Sequence, residues 1–239
     1  MESGLAAANV VRANWMGLVS AWVYVENGKA LVVDSGVARF PGVLFRAIER
    51  TGVAPEDVVL AVATHHHHDH AGCMAALRRA TGCEILAHEA EVPGLLRGVT
   101  DIPGGLTGPT RWIADFGRRH AAAAVRMMAF PAVAPDIVVT SDANLAEYGF
   151  SAHVVHTPGH TAGSISVVTS VGHAFTGDAA YNHFPLKSDR HVPPFGMDAA
   201  TIVRSWPRLL RYGARWIYPA HGRPFSASRL EKRVSGPGC

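Results

Sequence analysis

The sequence predicts an α/β fold, because strand-like and helix-like segments alternate along much of the chain. An apolar, valine-rich run at residues 58–63 is followed by a helix-like segment at 71–80 and a short strand at 84–87. This order is typical of a βαβ unit. From residue 137 onward, short β-rich segments separated by turn residues indicate a second group of strands.

Length and composition limit the classes of protein. The 239 residues suffice for one large domain or two small ones, and we predict a single domain over residues 1–239. With 48% hydrophobic and 17% charged residues, the chain has the composition of an ordered globular protein. A formal charge of +3, without a basic stripe and interleaved aromatic residues, argues against a nucleic-acid partner. The three cysteines lack a CxxC spacing, as expected for free thiols in a reducing compartment.

The start of the chain carries no targeting signal that we can identify. Residues 1–11 include Glu2 and no basic segment, and Arg12 and Asn14 interrupt the apolar residues that follow. We therefore expect neither a signal peptide nor a transmembrane span. The predicted location is the cytoplasm, without a membrane partner.

The first elements are predicted to form a β-hairpin. Two β-branched runs, residues 18–25 and 29–33, are joined by Asn27-Gly28, the strongest short hairpin signal. Asp34 follows the second run and precedes a Ser-Gly pair. We expect its side chain to fix a turn, since aspartate commonly bonds the nearby backbone at such positions.

The segment Thr64-His65-His66-His67-His68-Asp69-His70 lies between the predicted strand at 58–63 and the helix at 71–80. Five imidazoles and a carboxylate on such a loop predict a metal site, because zinc accepts both donor types. A purification tag is one alternative, but tags are terminal and this run is internal. A pH-sensitive surface patch is another, and it leaves the five rings without a shared ligand.

Residues 98–135 interrupt the strand pattern, and one or two helices are predicted over 111–128. Four residues fall on apolar helix faces: Trp112, Phe116, Val125 and Met128. We interpret the segment as an insertion over the active-site end of the sheet, either a lid that shapes the substrate pocket or a helical hairpin with a dimer role. The segment contains four arginines: Arg111, Arg118, Arg119 and Arg126. They either attract an anionic substrate or form a solvated basic face, which is the commoner arrangement.

The remaining elements follow from the same local rules. Helices are predicted at 40–51, ending at Gly52, and at 198–212, capped by Asp198. Further strands are predicted at these positions: 137–139, 143–147, 152–156, 165–169, 173–175 and 216–218. A closing helix is expected after His221.

Four predicted strand-end loops carry side chains that bind hard or borderline cations. They are His65, His67, Asp69 and His70 on the first loop, and His160, Asp178 and His221 on the other three. In an α/β architecture the ends of neighbouring strands point into one crevice, so these loops are expected to meet. Seven donors exceed the need of one tetrahedral ion and suit two ions that share a bridging carboxylate and a bridging water.

The pattern H-x-H-x-D-H, followed by T-P-G-H-T, G-D and P-x-H-G loops, resembles that of the metallo-β-lactamase-fold superfamily from residue 34 to residue 221. The resemblance implies an αββα sandwich with the metals at one edge and, in this chain, a helical insertion near residues 98–135. It also implies the ligands: His65, His67 and His160 for one metal, Asp69, His70 and His221 for the other, with Asp178 as the bridge. The implied cofactor is two Zn²⁺, with iron or manganese as alternatives.

Two departures argue against antibiotic hydrolysis. Enzymes of that kind commonly place a cysteine where this chain has Asp178, and they are normally exported. The set with His70 and Asp178 instead looks like glyoxalase II, acyl-homoserine lactonases and related esterases. Glyoxalase II has a helical C-terminal domain, for which we expect no room after His221. The lactonases carry a tyrosine three residues past the bridging aspartate, which matches Tyr181.

The resemblance therefore implies hydrolysis of an ester, thioester or lactone in a small molecule by a hydroxide held between two metals. Asp69 is expected to bind metal and to pass a proton to the leaving group. Tyr181 is expected either to donate a hydrogen bond to the oxyanion or to be an ordinary core or surface residue. His66 and His68 are expected to face away from the metals, and a homodimer is allowed.

Three other functions remain open at this point. An iron-dependent persulfide dioxygenase related to glyoxalase II is one, and a phosphodiesterase or nuclease on the same fold is another. The third is a metal-binding module without turnover. Three further histidines are expected to be structural or to line the pocket: His153, His156 and His183.

Overall fold

A computed structural model describes residues 9–120, 123, 126–182 and 191–235 of the chain. Its described strands form two six-stranded sheets. The first sheet follows the chain order and consists of β1 (Val10–Trp15), β2 (Val19–Glu26), β3 (Lys29–Val33), β4 (Val58–Val62), β5 (Glu84–His88) and β6 (Ile137–Val139). Strands β1 to β3 pair antiparallel, whereas β3 to β6 pair parallel.

The second sheet has the order β12-β11-β10-β9-β8-β7. Its strands are β7 (Ala143–Asn144), β8 (Ala152–His156), β9 (Ile165–Thr169), β10 (His173–Gly177), β11 (Trp216–Pro219) and β12 (Phe225–Ser226). Only β10 and β11 pair parallel among these described strands. The described α-helices are α1 (Gly42–Glu49), α2 (His68–Ala71), α3 (Met74–Thr81), α4 (Val92–Arg97), α5 (Gly108–Arg119), α6 (Ala199–Arg211) and α7 (Ser228–Val234).

Strand side chains alternate between two apolar layers. In β3, Leu31 and Val33 point between the two sheets, where they meet Phe175 and Tyr218. The alternate residue Val32 faces the outer layer beside α1 and α3. A third apolar cluster lies between the second sheet and helices α6 and α7. The layers are therefore helix, sheet, sheet and helix, which confirms the predicted αββα sandwich.

The predicted hairpin turn and the predicted helix cap are both present in the structure. Asn27 and Gly28 both have positive φ, and Glu26 pairs with Lys29 across the two-residue turn. Asp198 caps α6 by accepting hydrogen bonds from the backbone N–H groups of Ala200 and Thr201. Among the described helices, none has the length and apolar character needed to cross a bilayer.

Several elements differ from the prediction. Strands β1 and β12 are additional, and the strand predicted at 143–147 ends at Asn144 before a 3₁₀ turn at Ala146–Tyr148. Helix α5 ends at Arg119, and residues 123, 126 and 127 are again helical, which agrees with the prediction of one or two helices over 111–128. Trp112 and Phe116 stack with ring centroids 6.0 Å apart, but their face of α5 is exposed. Val125 and His183 lie outside the described residues.

Candidate metal centre

The seven predicted ligands come together where the two sheets meet. His65 and His67 follow the carboxyl end of β4, and Asp69 and His70 lie in the short helix α2 that comes next. The other three ligands lie just beyond the carboxyl ends of β8, β10 and β11: His160, Asp178 and His221. We call these seven side chains the metal cluster. Their shared position at strand ends is the geometry that the α/β architecture predicts.

Three imidazoles form one side of the metal cluster. Nδ1 of His67 lies 3.0 Å from Nε2 of His65 and 3.0 Å from Nε2 of His160. A neutral imidazole nitrogen without a proton has one lone pair, so Nδ1 of His67 cannot accept well from both neighbours. Ligands at about 2.0 Å around a tetrahedral zinc lie about 3.3 Å apart, which is close to these separations. The three nitrogens therefore fit a shared cation.

The carboxylate of Asp178 lies between this side and a second, more acidic one. Its Oδ2 is 3.4 Å from Nε2 of His160, and its Oδ1 is 3.5 Å from Nε2 of His70 and 3.3 Å from Nε2 of His221. Asp69 completes the second side, with Oδ2 3.6 Å from Nε2 of His221. In the described chain, His70 Nε2 and Asp178 Oδ1 are buried without a hydrogen-bond partner. Buried polar atoms need partners, and a cation between them would supply one.

Three overlapping groups of donors result from this arrangement. They are His65, His67 and His160; His65, His70 and Asp178; and Asp69, His70 and His221. Within each group, one donor atom from every residue lies within 4.8 Å of the others. His65 and His70 each belong to two of the groups, so the donors form one continuous cluster and not separate sites.

Electrostatics also favour cations in the metal cluster. Burial lowers the pKa values of His65, His67 and His160, which keeps these rings neutral with lone pairs available. Burial also opposes charge on His70, but Asp178, Asp34 and Asp69 outweigh it and raise its pKa to about 10. For Asp69, burial is outweighed by His70 and His221, which lower its pKa. The neutral rings of His65, His67 and His160 and the ionised carboxylate of Asp69 are donors that a divalent metal requires, whereas a metal at His70 would have to displace the proton that the neighbouring carboxylates favour there.

A buried carboxylate behind the cluster orients His70. Oδ2 of Asp34 accepts a hydrogen bond from Nδ1 of His70 at 2.8 Å, and Oδ1 accepts from the backbone N–H of Thr64 at 2.9 Å. The expectation that Asp34 fixes a local turn was therefore wrong. Its strand, β3, lies beside β4 in the sheet, so its side chain reaches across to the histidine-rich segment. The bond leaves Nε2 of His70 facing the cluster.

Backbone carbonyls orient two more imidazoles. Nδ1 of His160 donates to the carbonyl oxygen of Phe195 at 3.0 Å, and Nδ1 of His221 donates to that of Leu18 at 2.7 Å. Each bond places the proton on Nδ1 and directs the Nε2 lone pair of that ring toward Asp178. The carboxylate, in turn, follows Gly177, where a Cβ would lie 2.4 Å from Oγ1 of Thr64. Only glycine fits at this approach.

Glu91 is a functional residue that the sequence analysis missed. Its buried carboxylate accepts from the backbone N–H of His66 at 3.0 Å and pairs with Nδ1 of the same residue. It also accepts from Oγ1 of Thr161 at 2.8 Å and from the N–H of Gly163 at 2.9 Å. One side chain thus connects the loop of His65 and His67 with the loop of His160. A glutamate in a 3₁₀ turn offers no sequence signal for this role.

The other histidines take different positions. His66 is turned toward Glu91, as expected, whereas His68 lines the cavity beside the cluster and does not face away. The reason is that helix α2 begins at His68, so the strand-like alternation of side chains stops there. His156 stacks on His88 with centroids 4.3 Å apart, and His153 contacts Tyr212. Both are structural in this arrangement.

A cavity of about 460 Å³ opens onto the metal cluster. His67, Asp69, His160, Asp178 and His221 form its floor, with His68, Thr100 and Tyr181 beside them. Above the floor, eight apolar side chains line its sides, and we call them the apolar wall: Ile102, Pro103, Ile113, Ala114, Met128, Pro193, Pro194 and Phe195. Five of the eight belong to the insertion at 98–135, which therefore shapes the pocket.

Tyr181 lines the cavity beside His221. Its ring centroid is 5.6 Å from that of His221, and its backbone N–H donates to the carbonyl of His191 at 2.8 Å. Burial, together with the charge of Asp178, raises the pKa of Tyr181 to about 12. The hydroxyl is therefore protonated at neutral pH and can donate a hydrogen bond.

Curated relatives by sequence include hydrolases. A hydroxyacylglutathione hydrolase from Albidiferax ferrireducens is 29% identical over 141 residues, which are 59% of this chain and 38% of the relative. Another from Xanthomonas campestris is 28% identical over 187 residues, which are 78% of this chain and 56% of the relative. A probable metallo-hydrolase from Methanocaldococcus jannaschii is 23% identical over 176 residues, 72% of each chain. This chain thus spans between 38% and 72% of the relatives' own lengths.

Solved structures share the fold at lower identity. A variant of a metallo-beta-lactamase from Cronobacter sakazakii has a TM-score of 0.63 and 21% identity, covering 90% of this chain and 78% of that one. An archaeal metallo-beta-lactamase superfamily protein from Sulfolobus tokodaii has a TM-score of 0.64 and 18% identity, covering 95% and 82%. The family model of the metallo-beta-lactamase superfamily matches residues 15–221. By that match and by its αββα fold, this chain belongs to the metallo-beta-lactamase superfamily.

Proposed function

We propose that this protein hydrolyses an ester, thioester or lactone bond of a small molecule by means of two divalent cations, zinc being the expected metal. The observation that carries the proposal is the position of Asp178, whose two carboxylate oxygens face different sides of the metal cluster. A bridging carboxylate between two donor sets is what a two-metal hydrolase requires. The hydroxyacylglutathione hydrolase relatives support a thioester as one of the candidate bonds.

The ligands would divide as the resemblance implies. His65, His67 and His160 would hold one cation, and Asp69, His70 and His221 the other, with Asp178 between them. Bound divalent cations of this kind supply a hydroxide nucleophile near neutral pH and polarise the attacked carbonyl.

Two side chains are placed to assist the reaction. Asp69 lines the cavity beside His221, with its Oδ2 3.6 Å from Nε2 of that ring. It would accept a proton at its carboxylate and pass it to the leaving group. Tyr181, protonated at neutral pH, would donate its hydroxyl hydrogen to the oxyanion that develops on the attacked carbonyl.

One set of experiments tests both the identity of the metal and the class of bond that is hydrolysed. Purified protein is analysed for its elements, reconstituted with zinc, iron or manganese, and assayed against thioesters, lactones, other esters and phosphodiesters. We expect about two metal ions per chain and hydrolysis of at least one carboxylic ester class. One iron and no zinc, with persulfide oxidation, would instead favour the dioxygenase, and activity confined to phosphodiesters would favour the phosphodiesterase.

The role of Tyr181 is tested by Tyr181→Phe. Loss of one oxyanion donor costs about a hundredfold or more in kcat, so we expect a fall of that order with little change in KM. The ring and its contact with His221 are retained in this variant. Wild-type kcat in Tyr181→Phe would assign the tyrosine to packing alone.

The cellular location is also part of the proposal. Cys73 and Cys83 are buried free thiols, and burial raises the pKa of both. Such thiols suit the reducing environment of the cytoplasm, where we place the protein. Measurement of activity and protein in separated cell fractions tests this assignment.

A further inference from the structure

We propose that the substrate carries an apolar acyl chain that lies along the apolar wall, which makes the insertion at 98–135 the specificity element of this enzyme. This inference rests on the proposed hydrolase function and adds the class of substrate to it.

The apolar wall begins directly beside the metal cluster. The carbonyl of Phe195 accepts the hydrogen bond from Nδ1 of His160, so the wall and one predicted ligand are joined by a 3.0 Å contact. Phe195 itself lines the cavity together with His160 and Asp178. A substrate whose carbonyl reaches the cluster therefore places one of the groups that adjoin this carbonyl against the wall, and we assign the acyl chain to this position.

Backbone hydrogen bonds hold the two sides of the apolar wall together. Leu106 N–H donates to the carbonyl of Pro194 at 2.9 Å, and Gly196 N–H donates to that of Gly104 at 2.8 Å. Oγ1 of Thr110, in the first turn of α5, donates to the same Pro194 carbonyl at 2.8 Å. The insertion is thus fastened to the segment that orients His160, so its shape is set before a substrate arrives.

Helix α5 and residues 99–102 are also held in place beside the cavity by close contacts. A Cβ on Gly117 would lie 3.6 Å from Cγ2 of Ile102, which shows how closely the helix approaches that side chain. Val99 and Ala129 form a backbone bridge, and Phe130 N–H donates to the carbonyl of Gly98 at 2.9 Å. These contacts place Met128 next to the same cavity.

The chemistry of the lining selects the class of ligand. Outside the metal cluster, the lining residues that the structure describes include no lysine, arginine, aspartate or glutamate. A charged group along the apolar wall would lose water without gaining a partner, whereas each buried methylene gains free energy. The arginines of α5 do not alter this, because Arg111 and Arg118 are exposed and absent from the lining, and Arg118 pairs with Asp115.

Chain-length dependence is the direct test. Straight-chain acyl thioesters from acetyl to decanoyl, all with the same N-acetylcysteamine leaving group, are assayed with the metal-reconstituted protein. We expect kcat/KM to rise about two- to fourfold per methylene until the cavity is filled. Rates that are flat with chain length, or highest for succinyl and other charged acyl groups, would overturn the inference while leaving the hydrolase function in place.

Adjacent residues of α5 provide a matched pair of variants. Ile113 lines the cavity and is 51% exposed, whereas Trp112 is 70% exposed and is absent from the cavity lining. Ile113→Asn is expected to lower kcat/KM much more for the decanoyl than for the acetyl substrate and so flatten the chain-length dependence, whereas Trp112→Asn is expected to leave that dependence unchanged. Met128→Ala, on another segment of the wall, should reduce the preference for long chains to a smaller degree. Equal effects of Ile113→Asn and Trp112→Asn would contradict the assignment.

Binding separates this inference from the proposed function. The affinity of alkyl carboxylates from butyrate to decanoate is measured by calorimetry on the same protein, without any turnover. No hydrolysis of any substrate, together with length-dependent binding that Ile113→Asn abolishes, would overturn the hydrolase function and support the apolar site. Absence of both hydrolysis and length-dependent binding would overturn both.

Discussion

The floor and the apolar wall of one cavity are held in place by different kinds of interaction. Behind the floor, Asp34 and two backbone carbonyls each accept a hydrogen bond from one imidazole of the metal cluster, and Glu91 bonds His66 and the loop of His160. In the apolar wall, backbone groups at 104–106 and 194–196 bond each other, and the side chains only fill space. The floor therefore depends on individual polar atoms, whereas the wall depends on backbone shape and apolar volume. Single substitutions should have large effects on the floor and smaller, graded effects on the wall.

The largest effect is expected for Asp178→Ala. Removal of the carboxylate between the two sides of the metal cluster should lower metal content and reduce turnover roughly a thousandfold or more, because metal-assisted stabilisation amounts to several kcal/mol. Elemental analysis after gel filtration and steady-state kinetics measure the two effects. Asp142→Ala is the matched control, since Asp142 pairs with Arg208 and does not line the cavity. Unchanged metal stoichiometry in Asp178→Ala would rule out the bridging role.

Glu91→Ala should have the next largest effect, on folding. It leaves N–H groups of His66 and Gly163 buried without an acceptor, so we expect the free energy of unfolding to fall by about 3 kcal/mol. Denaturant titration of the metal-free protein measures this loss. Glu91→Gln retains one acceptor oxygen and should lose about half as much. If both variants were as stable as the wild type, Glu91 would not be the link between the two loops.

Asp34→Asn changes hydrogen bonding with little change in volume. The amide N–H₂ of asparagine would face Nδ1 of His70 and favour the tautomer with its proton on Nε2, the atom that faces Asp178. Loss of such an orienting carboxylate lowers metal affinity about ten- to a hundredfold. Competition with a chelator measures the affinity. Equal affinity in Asp34→Asn and wild type would show that His70 is oriented by packing alone.

The smallest effect is expected for Thr110→Val, at a residue that supports the apolar wall through the Pro194 carbonyl. Valine has nearly the same shape but cannot donate to Pro194 or accept from Thr107, so stability should fall by about 1 kcal/mol. Metal content should not change, and KM should rise more for decanoyl than for acetyl substrates. Thr107→Val, which affects the helix cap but not the contact with Pro194, is the control. A loss of metal from Thr110→Val would mean that wall and floor are not independent.

Sequence patterns predicted the features that depend on neighbours along the chain. The Asn27-Gly28 turn, the cap at Asp198 and the strand–loop–helix placement of the histidine-rich segment are all local, and the structure confirms them. Strand β1 was missed because Arg12 and Asn14 interrupt its apolar pattern. The structure pairs them at a distance, with Arg12 donating to the carbonyl of Gly222 and Asn14 to Oγ of Ser20.

The sequence by itself determined the α/β class and the residue types that gather at the sheet edge, because periodicity, turns and donor chemistry are properties of short segments. The αββα arrangement was implied by the resemblance of the whole motif set to a known family. Only the tertiary structure decided which carboxylates and carbonyls orient those donors and which apolar residues line the cavity above them. Asp34, Glu91 and Phe195 act on residues 25 to 36 positions away along the chain. No local pattern encodes such contacts, since they form only when separate loops pack at the same sheet edge.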